Sequence, residues 1–155
     1  MVEHFLDIQS ASNSSQLPTA ASLQLWVKTA LASFNTPFEL VLRIVDIEEM
    51  SELNQTYRQK SGPTNILSFP FEAPEGIEMN HLGDLVVCAP VVEREASEQG
   101  KALLDHWAHI TIHGVLHLLG YDHIDDSEAE EMENLEITLL QQLQINNPYQ
   151  EQEEL

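Results

Sequence analysis

The chain begins with three segments whose hydrophobic patterns differ in period. Apolar and polar side chains alternate over 2–8, which predicts a strand, because successive strand residues point to opposite faces. Pro18 and Thr19 then open a segment whose apolar residues recur at helical spacing as far as Phe34. The β-branched run 38–45 predicts a buried strand. Strand, helix and strand therefore follow one another in the first third of the chain.

A second helix is predicted from about residue 48 to residue 57. Asp46 is its expected N-cap, and Glu49 stands where a capping box requires an acid. The next apolar run, 66–71, is a short strand. Because Pro70 cannot donate a ladder hydrogen bond, this strand is expected at a sheet edge or to end there.

The second half of the chain is mostly helical after a last strand at 83–88. The predicted helices span 91–99, 102–119 and 125–143. Strands mostly in the first half and helices mostly in the second favour an α+β fold, with a mixed sheet packed against several helices. A length of 155 residues suits one domain. We predict a hydrolase domain at 1–144 and a polar, acidic tail at 145–155.

Composition restricts the classes of function. The chain has 26 Asp and Glu against 6 Lys and Arg, a net charge of −20, so nonspecific binding to duplex DNA by a broad basic face is not expected. Cys88 is the single cysteine, which fits a reducing compartment. The first residues lack the pattern of a signal peptide, and the longest apolar run, 85–92, is shorter than the roughly 20 residues that span a bilayer. A cytoplasmic location without a membrane partner is the expectation.

The candidate chemistry lies in a short histidine-rich segment. On a helix His113 and His117 lie on one face about 6 Å apart along the axis, the spacing at which two imidazoles reach one zinc ion. Gly120 can adopt a positive φ with little steric strain and so end a helix, which allows the chain to turn and bring His123 to the same ion. Three neutral imidazoles leave a coordination position for water, as in catalytic zinc sites. One Zn²⁺ per chain is predicted.

Two other residues compete for the metal. His109 shares the face of His113 and His117, but three ligands on one straight helix would span about 12 Å, too far for one ion. His109 is therefore predicted to support a ligand or to lie in the core. Cys88 is a candidate fourth ligand of a closed, structural zinc site, and this alternative stays open.

The spacing H-x3-H-x2-G-x2-H is also that of the metzincin metallopeptidases. Those enzymes carry a glutamate directly after the first histidine as the general base, whereas this chain has Gly114. A peptidase would need a base from elsewhere, and general-base catalysis commonly contributes about 10²–10⁴-fold in rate. A metal-dependent hydrolase of another class, such as a metzincin-like peptidase, remains the first alternative.

Three sequence blocks together resemble a known family. The segment 113–123 strongly resembles the signature of the YbeY family, bacterial endoribonucleases of ribosomal RNA maturation. The stretch 53–71 resembles the second block of this family, and 82–86 resembles the third. The resemblance runs from about residue 40 to residue 136 in the expected order.

The resemblance implies a zincin-like, histidine-bearing helix with His113, His117 and His123 as zinc ligands. It also implies a functional role for Arg58, whose planar guanidinium suits the charge that develops on phosphoryl oxygens. After Lys60 the family usually has an acid, whereas this chain has Ser61 and Gly62, so no acidic function is expected there.

By the same resemblance, the function is that of a zinc-dependent, single-strand-specific endoribonuclease in ribosomal RNA maturation and ribosome quality control, in the bacterial cytoplasm. The implied substrate is a single-stranded ribosomal RNA precursor. The implied partners are the ribosome or its proteins and a ribosome-assembly GTPase. A non-catalytic ribosome-assembly factor that zinc merely stabilises is the second alternative.

The proton acceptor and the RNA-binding side chains are left as hypotheses. Asp84 and Asp122 are candidates for orienting an imidazole or accepting a proton, and water on the metal is the third candidate for the base. Arg43, with Arg58 and Lys60, is a candidate for a small basic lip. Tyr57 is a candidate for stacking on unpaired bases.

Overall fold

The computed structural model describes residues 4–71, 76, 80–121 and 125–149. These residues form four strands and five helices. The elements are β1 (Phe5–Ser10), α1 (Ala20–Leu31), β2 (Glu39–Val45), α2 (Ile47–Arg58), β3 (Ile66–Pro70), β4 (His81–Cys88), α3 (Ala89–Gln99), α4 (Leu103–Leu118) and α5 (Asp126–Gln142). Each predicted strand and helix is present, with ends that shift by a few residues.

The strands form one mixed sheet in the order β1-β2-β4-β3. β1 pairs with β2 and β2 with β4 in parallel, whereas β3 runs antiparallel to β4 at the edge. Pro70 lies in this edge strand, opposite Gly83. The predicted α+β fold, a single domain with a mixed sheet and several helices, is confirmed.

The two faces of the sheet bury different clusters. Leu85 and Val87 of β4 belong to the main core, which contains side chains of α1, α4 and α5. Val86 and Cys88, whose side chains alternate with these, belong to a smaller cluster with Met50 of α2. The histidine-bearing helix α4 therefore lies on the face of the sheet opposite α2.

Helix α4 lies directly against the sheet at Gly114. A Cβ atom there would come within 2.5 Å of Ile66 Cδ1 and 2.9 Å of Leu85 Cδ2. Real Cβ atoms do not approach other heavy atoms so closely, so glycine permits the helix to sit on β3 and β4 at this distance. This contact sets the height of the neighbouring residue His113 above the sheet.

The expected capping box of α2 is wrong. Asp46 is the N-cap residue of α2, but its side chain makes no capping bond. Its carboxylate instead accepts hydrogen bonds from the Ser12 hydroxyl at 2.5 Å and the Asn13 amide at 3.0 Å, which lower the pKa of Asp46. Glu49 pairs with Arg43 at 2.7 Å. Asp46 therefore holds the segment after β1, and Glu49 holds a side chain of the preceding strand β2.

Among the described residues, no helix has the length and apolar character needed to cross a bilayer.

Gly83 provides a test of the β3–β4 contact. Its φ is +149°, and a Cβ would lie 2.4 Å from the backbone oxygen of Phe69. Gly62, with φ of +82° and no atom within 4 Å of its Cβ position, is the matched control. We expect Gly83→Ala to lower the free energy of unfolding by about 2 kcal/mol more than Gly62→Ala, measured by urea denaturation. Equal losses would contradict the steric explanation.

Candidate metal centre

Four imidazoles lie along one stripe of α4. His106, His109, His113 and His117 are spaced three, four and four residues apart, which places them on one side of the helix. His106 is buried and its Nε2 lies 3.0 Å from a carboxylate oxygen of Glu95 on α3. His106 is thus in contact with an acid of another helix.

His113 is held by a buried acid of α5. Glu136 has 0% exposure, and one of its oxygens accepts a hydrogen bond from His113 Nδ1. Its other oxygen accepts hydrogen bonds from His109 Nε2, at 3.1 Å, and from the Tyr149 hydroxyl. A proton on Nδ1 leaves the Nε2 atom of His113 with its lone pair, the form that binds a metal.

His113 and His117 bring their Nε2 atoms together. The two atoms lie 2.9 Å apart, and the rings meet edge to face with centroids 4.5 Å apart. Two nitrogens that each bind one zinc ion at about 2.0–2.1 Å must lie within about 4.2 Å of each other. The pair meets this condition, so these residues fit the metal that the sequence predicts.

The predicted turn after α4 is present. Gly120 has φ of +102°, its amide donates to the His117 carbonyl at 3.0 Å, and the Tyr121 amide donates to the Leu116 carbonyl at 3.0 Å. This is the Schellman arrangement, in which a residue of positive φ reverses the chain. His123 and Asp122 lie outside the described residues, so their predicted roles stay predictions.

Burial and hydrogen bonding shift the pKa of Glu136 in opposite directions. Burial alone would raise its pKa, but the hydrogen bonds from His109, His113 and Tyr149 outweigh burial and lower the pKa to about 2. Burial lowers the pKa of His109 although Glu136 opposes this shift. Burial and the adjacent carboxylate raise the pKa of Tyr149. An ionised Glu136 therefore accepts hydrogen bonds from a neutral His109 and a neutral Tyr149.

Sequence reasoning did not identify Glu136, although a signal was present. Met132, Glu136 and Leu140 follow one another at four-residue spacing, and all three are fully buried. An acid in phase with the apolar stripe of a helix has to find partners inside the protein. The prediction that His109 supports a ligand or lies in the core agrees with its contact to Glu136.

The same side chains form a group that could hold a metal ion. One ligand atom each from His109, His113 and Glu136 lie within 4.8 Å of one another. The described part of the chain thus contains a candidate three-residue metal-binding group, and it shares His113 with the predicted zinc site.

A cleft of about 860 Å³ opens in front of His113 and His117. Its walls are Tyr57, Arg58, residues 64–70, His113, His117, Gly120 and Tyr121. Arg58 is exposed at the end of α2, and Gln59, with φ of 55°, terminates that helix. Among the described lining residues there is no Asp or Glu, and Arg58 is the one Lys or Arg. This described lining therefore carries none of the acidic side chains that dominate the composition of the chain.

The predicted basic lip is wrong in the case of Arg43. Its guanidinium is paired with both carboxylate oxygens of Glu49, at 2.7 and 2.9 Å, and lines a separate hollow on the α2 side of the sheet. Lys60 is exposed but does not line the cleft. Of the three proposed cations, only Arg58 lines the cleft, because β2 directs Arg43 toward Glu49.

Two further candidates lie away from the histidines. Asp84 lines the hollow on the α2 side and contacts His81 at 3.3 Å, so it does not orient His113 or His117. Cys88 is fully buried in the smaller apolar cluster, where burial raises the pKa of its thiol. It does not line the cleft, which argues against a fourth ligand from Cys88.

Tyr57 lies at the border between the two cavities. Its ring is 61% exposed and packs edge to face on Phe69, with centroids 5.2 Å apart. Both side chains line the cleft and the hollow on the α2 side. An exposed aromatic ring is therefore present beside Arg58.

The fold and site define a single-domain α+β protein whose imidazole-bearing helix forms one wall of a polar cleft, the arrangement expected of a metal-dependent hydrolase. Residues 7–144 match the family model described as endoribonuclease YbeY. The chain is 57% identical over 153 residues to an endoribonuclease YbeY from Colwellia psychrerythraea, covering 96% of this chain and 99% of that protein.

A solved structure gives an independent comparison. The solution structure of TM1509 from Thermotoga maritima superposes with a TM-score of 0.64 at 26% identity, covering 90% of this chain and 89% of that protein. The chain belongs to the endoribonuclease YbeY family. This finding confirms the family prediction and the prediction of a nuclease that acts on RNA.

The buried carboxylate predicts a specific pH dependence of stability in the metal-free protein. Because the pKa of Glu136 is about 2 in the fold, against an ordinary value of 4.5, its stabilisation is complete above about pH 4.5 and is lost as the pH falls toward 2. Between these limits, the stability difference between wild type and Glu136→Gln should shrink by about 3 kcal/mol, measured by urea denaturation.

Glu130→Gln is the control for this pH series. Glu130 is an exposed acid of the same helix, and exposed charges contribute little to stability, so its difference from wild type should change far less. A Glu136→Gln difference that stays constant from pH 5 to pH 2 would contradict the assignment of a stabilising buried carboxylate.

Proposed function

We propose that this protein is a zinc-dependent, single-strand-specific endoribonuclease in which His113, His117 and His123 bind one Zn²⁺ and Arg58 contacts the scissile phosphate. The observation that carries the proposal is the described lining of the cleft, which contains no Asp or Glu and in which His113, His117 and one exposed guanidinium line the same space. A protein with a net charge of −20 meets a polyanion best at such a local site.

The donor chemistry supports zinc. Imidazole nitrogen is a usual zinc ligand, and the acid nearest to the pair already accepts hydrogen bonds from His109 and His113. We therefore place the ion on the cleft side of His113 and interpret the group of His109, His113 and Glu136 as its support. A bound zinc ion lowers the pKa of water and polarises a phosphoryl oxygen.

Arg58 is suited to the phosphate because its side chain is exposed and lies in no ion pair with any described residue. The loop after it is fixed, since the buried Asn54 donates to the Gly62 carbonyl at 2.9 Å. A guanidinium donates in a planar fork and stabilises charge that develops on phosphoryl oxygens. Arg58 would therefore bind the transition state more strongly than the substrate.

The charged and aromatic residues of the cleft support the proposed specificity for single-stranded RNA. Duplex binding draws most of its affinity from many phosphate contacts, whereas the described cleft has one Lys or Arg, Arg58. The exposed ring of Tyr57 suits stacking on an unpaired base next to the phosphate.

The biological setting is proposed from the family resemblance. We assign the substrate as a ribosomal RNA precursor and the site of action as the bacterial cytoplasm. Ribosomal proteins or a ribosome-assembly GTPase would deliver an acidic enzyme to acidic RNA. The catalytic domain would comprise 1–144, although Ile145 and Tyr149 of the proposed tail also contact the domain.

Two other functions have less support. A metzincin-like peptidase would need a proton acceptor from elsewhere, because residue 114 is glycine and even a Cβ there would approach Ile66 to 2.5 Å. A non-catalytic assembly factor has no need of an exposed arginine facing the histidine pair.

An RNA cleavage assay tests the proposal. Zinc-loaded wild type should cut an end-labelled single-stranded RNA, and Arg58→Ala should lower the rate by about 10²–10³-fold through lost charge stabilisation. Lys60→Ala is the matched control, since Lys60 is an exposed cation two residues away that does not line the cleft. It should keep nearly the full rate.

Other outcomes separate the alternatives. Equal cutting by wild type and Arg58→Ala would exclude the proposed role of Arg58. Cleavage of a peptide that chelation abolishes, with RNA left intact, would identify a peptidase. Folded, zinc-loaded wild type that cuts neither naked RNA nor isolated ribosomal particles would favour the assembly factor.

A further inference from the structure

We propose that Glu136 is a positioning residue that fixes the tautomer and the orientation of His113, and that Tyr149 in turn holds the Glu136 carboxylate. The inference rests on the proposed function, because it explains how one of the proposed metal ligands is prepared. It concerns side chains that lie behind the cleft and do not touch substrate.

Both oxygens of Glu136 are held, and from different parts of the fold. One accepts from His113 Nδ1, and the other from His109 Nε2 and from the Tyr149 hydroxyl. Rotation of the carboxylate would break at least one of these bonds. The proton of His113 is thereby held on Nδ1, and its Nε2 lone pair is directed toward His117 and the cleft.

A purely structural explanation of Glu136 is weaker. A buried carboxylate loses several kcal/mol of hydration, and a well-packed apolar side chain of similar volume often serves stability equally well. Met132 and Leu140, one turn away on either side, are such side chains. A carboxylate at 0% exposure is best explained by the imidazoles that it orients.

A similar contact elsewhere on α4 shows what is special about His113. Glu95 accepts from His106 at 3.0 Å, but its side chain is 26% exposed, and His106 Nδ1 is buried with no partner among the described residues. His106 therefore presents no nitrogen to the cleft. Glu95→Gln changes a histidine–carboxylate contact of this kind at a residue that does not line the cleft, and Gln keeps an oxygen that can accept from Asn65, 3.2 Å from Glu95.

Tyr149 connects the segment after α5 to this arrangement. It is 41% exposed, its hydroxyl donates to Glu136, and its oxygen lies 3.2 Å from His109 Nε2. Without this hydroxyl, the carboxylate keeps both histidine bonds but loses the contact that fixes it from outside the two helices. A smaller effect than that of Glu136 is therefore expected.

The first measurement is the tautomer of His113 in the metal-free wild type, by long-range ¹H–¹⁵N NMR. We expect the proton on Nδ1. This experiment needs no variant to fold. A proton on Nε2 with a bare Nδ1 would overturn the inference, because Glu136 would then accept no hydrogen bond from His113.

The second measurement is zinc affinity by competition with a chromophoric chelator. Glu136→Gln offers one acceptor oxygen to two histidine donors, so we expect a mixed tautomer of His113 and a zinc dissociation constant about 10–100-fold higher. Tyr149→Phe should raise the constant by less, about 2–10-fold. Glu95→Gln should leave the constant and the tautomer unchanged.

The results distinguish failure of the inference from failure of the proposed function. In one outcome, wild type binds zinc, His117→Ala abolishes binding, and both Glu136→Gln and Tyr149→Phe keep the wild-type dissociation constant. Glu136 then has no positioning role, but the proposed metal centre is supported. If wild type binds no zinc, the metal centre fails and the inference fails with it. An equal loss in Glu95→Gln would also overturn the inference, since the effect would not be specific to Glu136.

Discussion

The structure depends on hydrogen-bond partners for the imidazoles of a helix that is buried on most of its surface. Helix α4 packs on the sheet with one side and contacts α1, α3 and α5 with others. A buried polar ring without a partner costs free energy, and two of these helices, α3 and α5, supply carboxylates as partners. Glu95 of α3 meets His106, and Glu136 of α5 meets His109 and His113. The packing of these helices is thereby coupled to the chemistry of the site.

This coupling keeps the negative charge of Glu136 apart from the cleft in a strongly acidic protein. Most of the acids of α5 are exposed, whereas Glu136 turns inward and neutral His109 and Tyr149 surround its charge. His113 and His117 line the cleft together with Arg58 and, among the described lining residues, no acid. Neither Glu95 nor Glu136 lines the cleft, so both contact imidazoles of α4 without adding negative charge to its described lining.

Local features of this arrangement were predictable from sequence, and contacts between distant residues were not. The pair His113 and His117 and the reversal at Gly120 depend on helix geometry within a few residues. Glu136 contacts His113 only because α5 packs against α4. The position of Glu136 in the apolar stripe of α5 indicates that it is buried, but it does not indicate which residue it contacts. The capping box at Asp46 failed for the same reason, since Ser12, 34 residues earlier, takes the carboxylate.

The packing of α4 on the sheet also bears on which reaction the site can perform. A side chain at position 114 would clash with Ile66 Cδ1 and Leu85 Cδ2, so a glutamate there would require these side chains or the helix to shift. A peptide substrate supplies no nucleophile, so the loss of that base is severe. RNA carries a 2′-hydroxyl next to each phosphate, and the charge that develops lies on phosphoryl oxygens that a guanidinium can stabilise. Close contact at Gly114 is thus compatible with RNA cleavage and unfavourable for peptide hydrolysis.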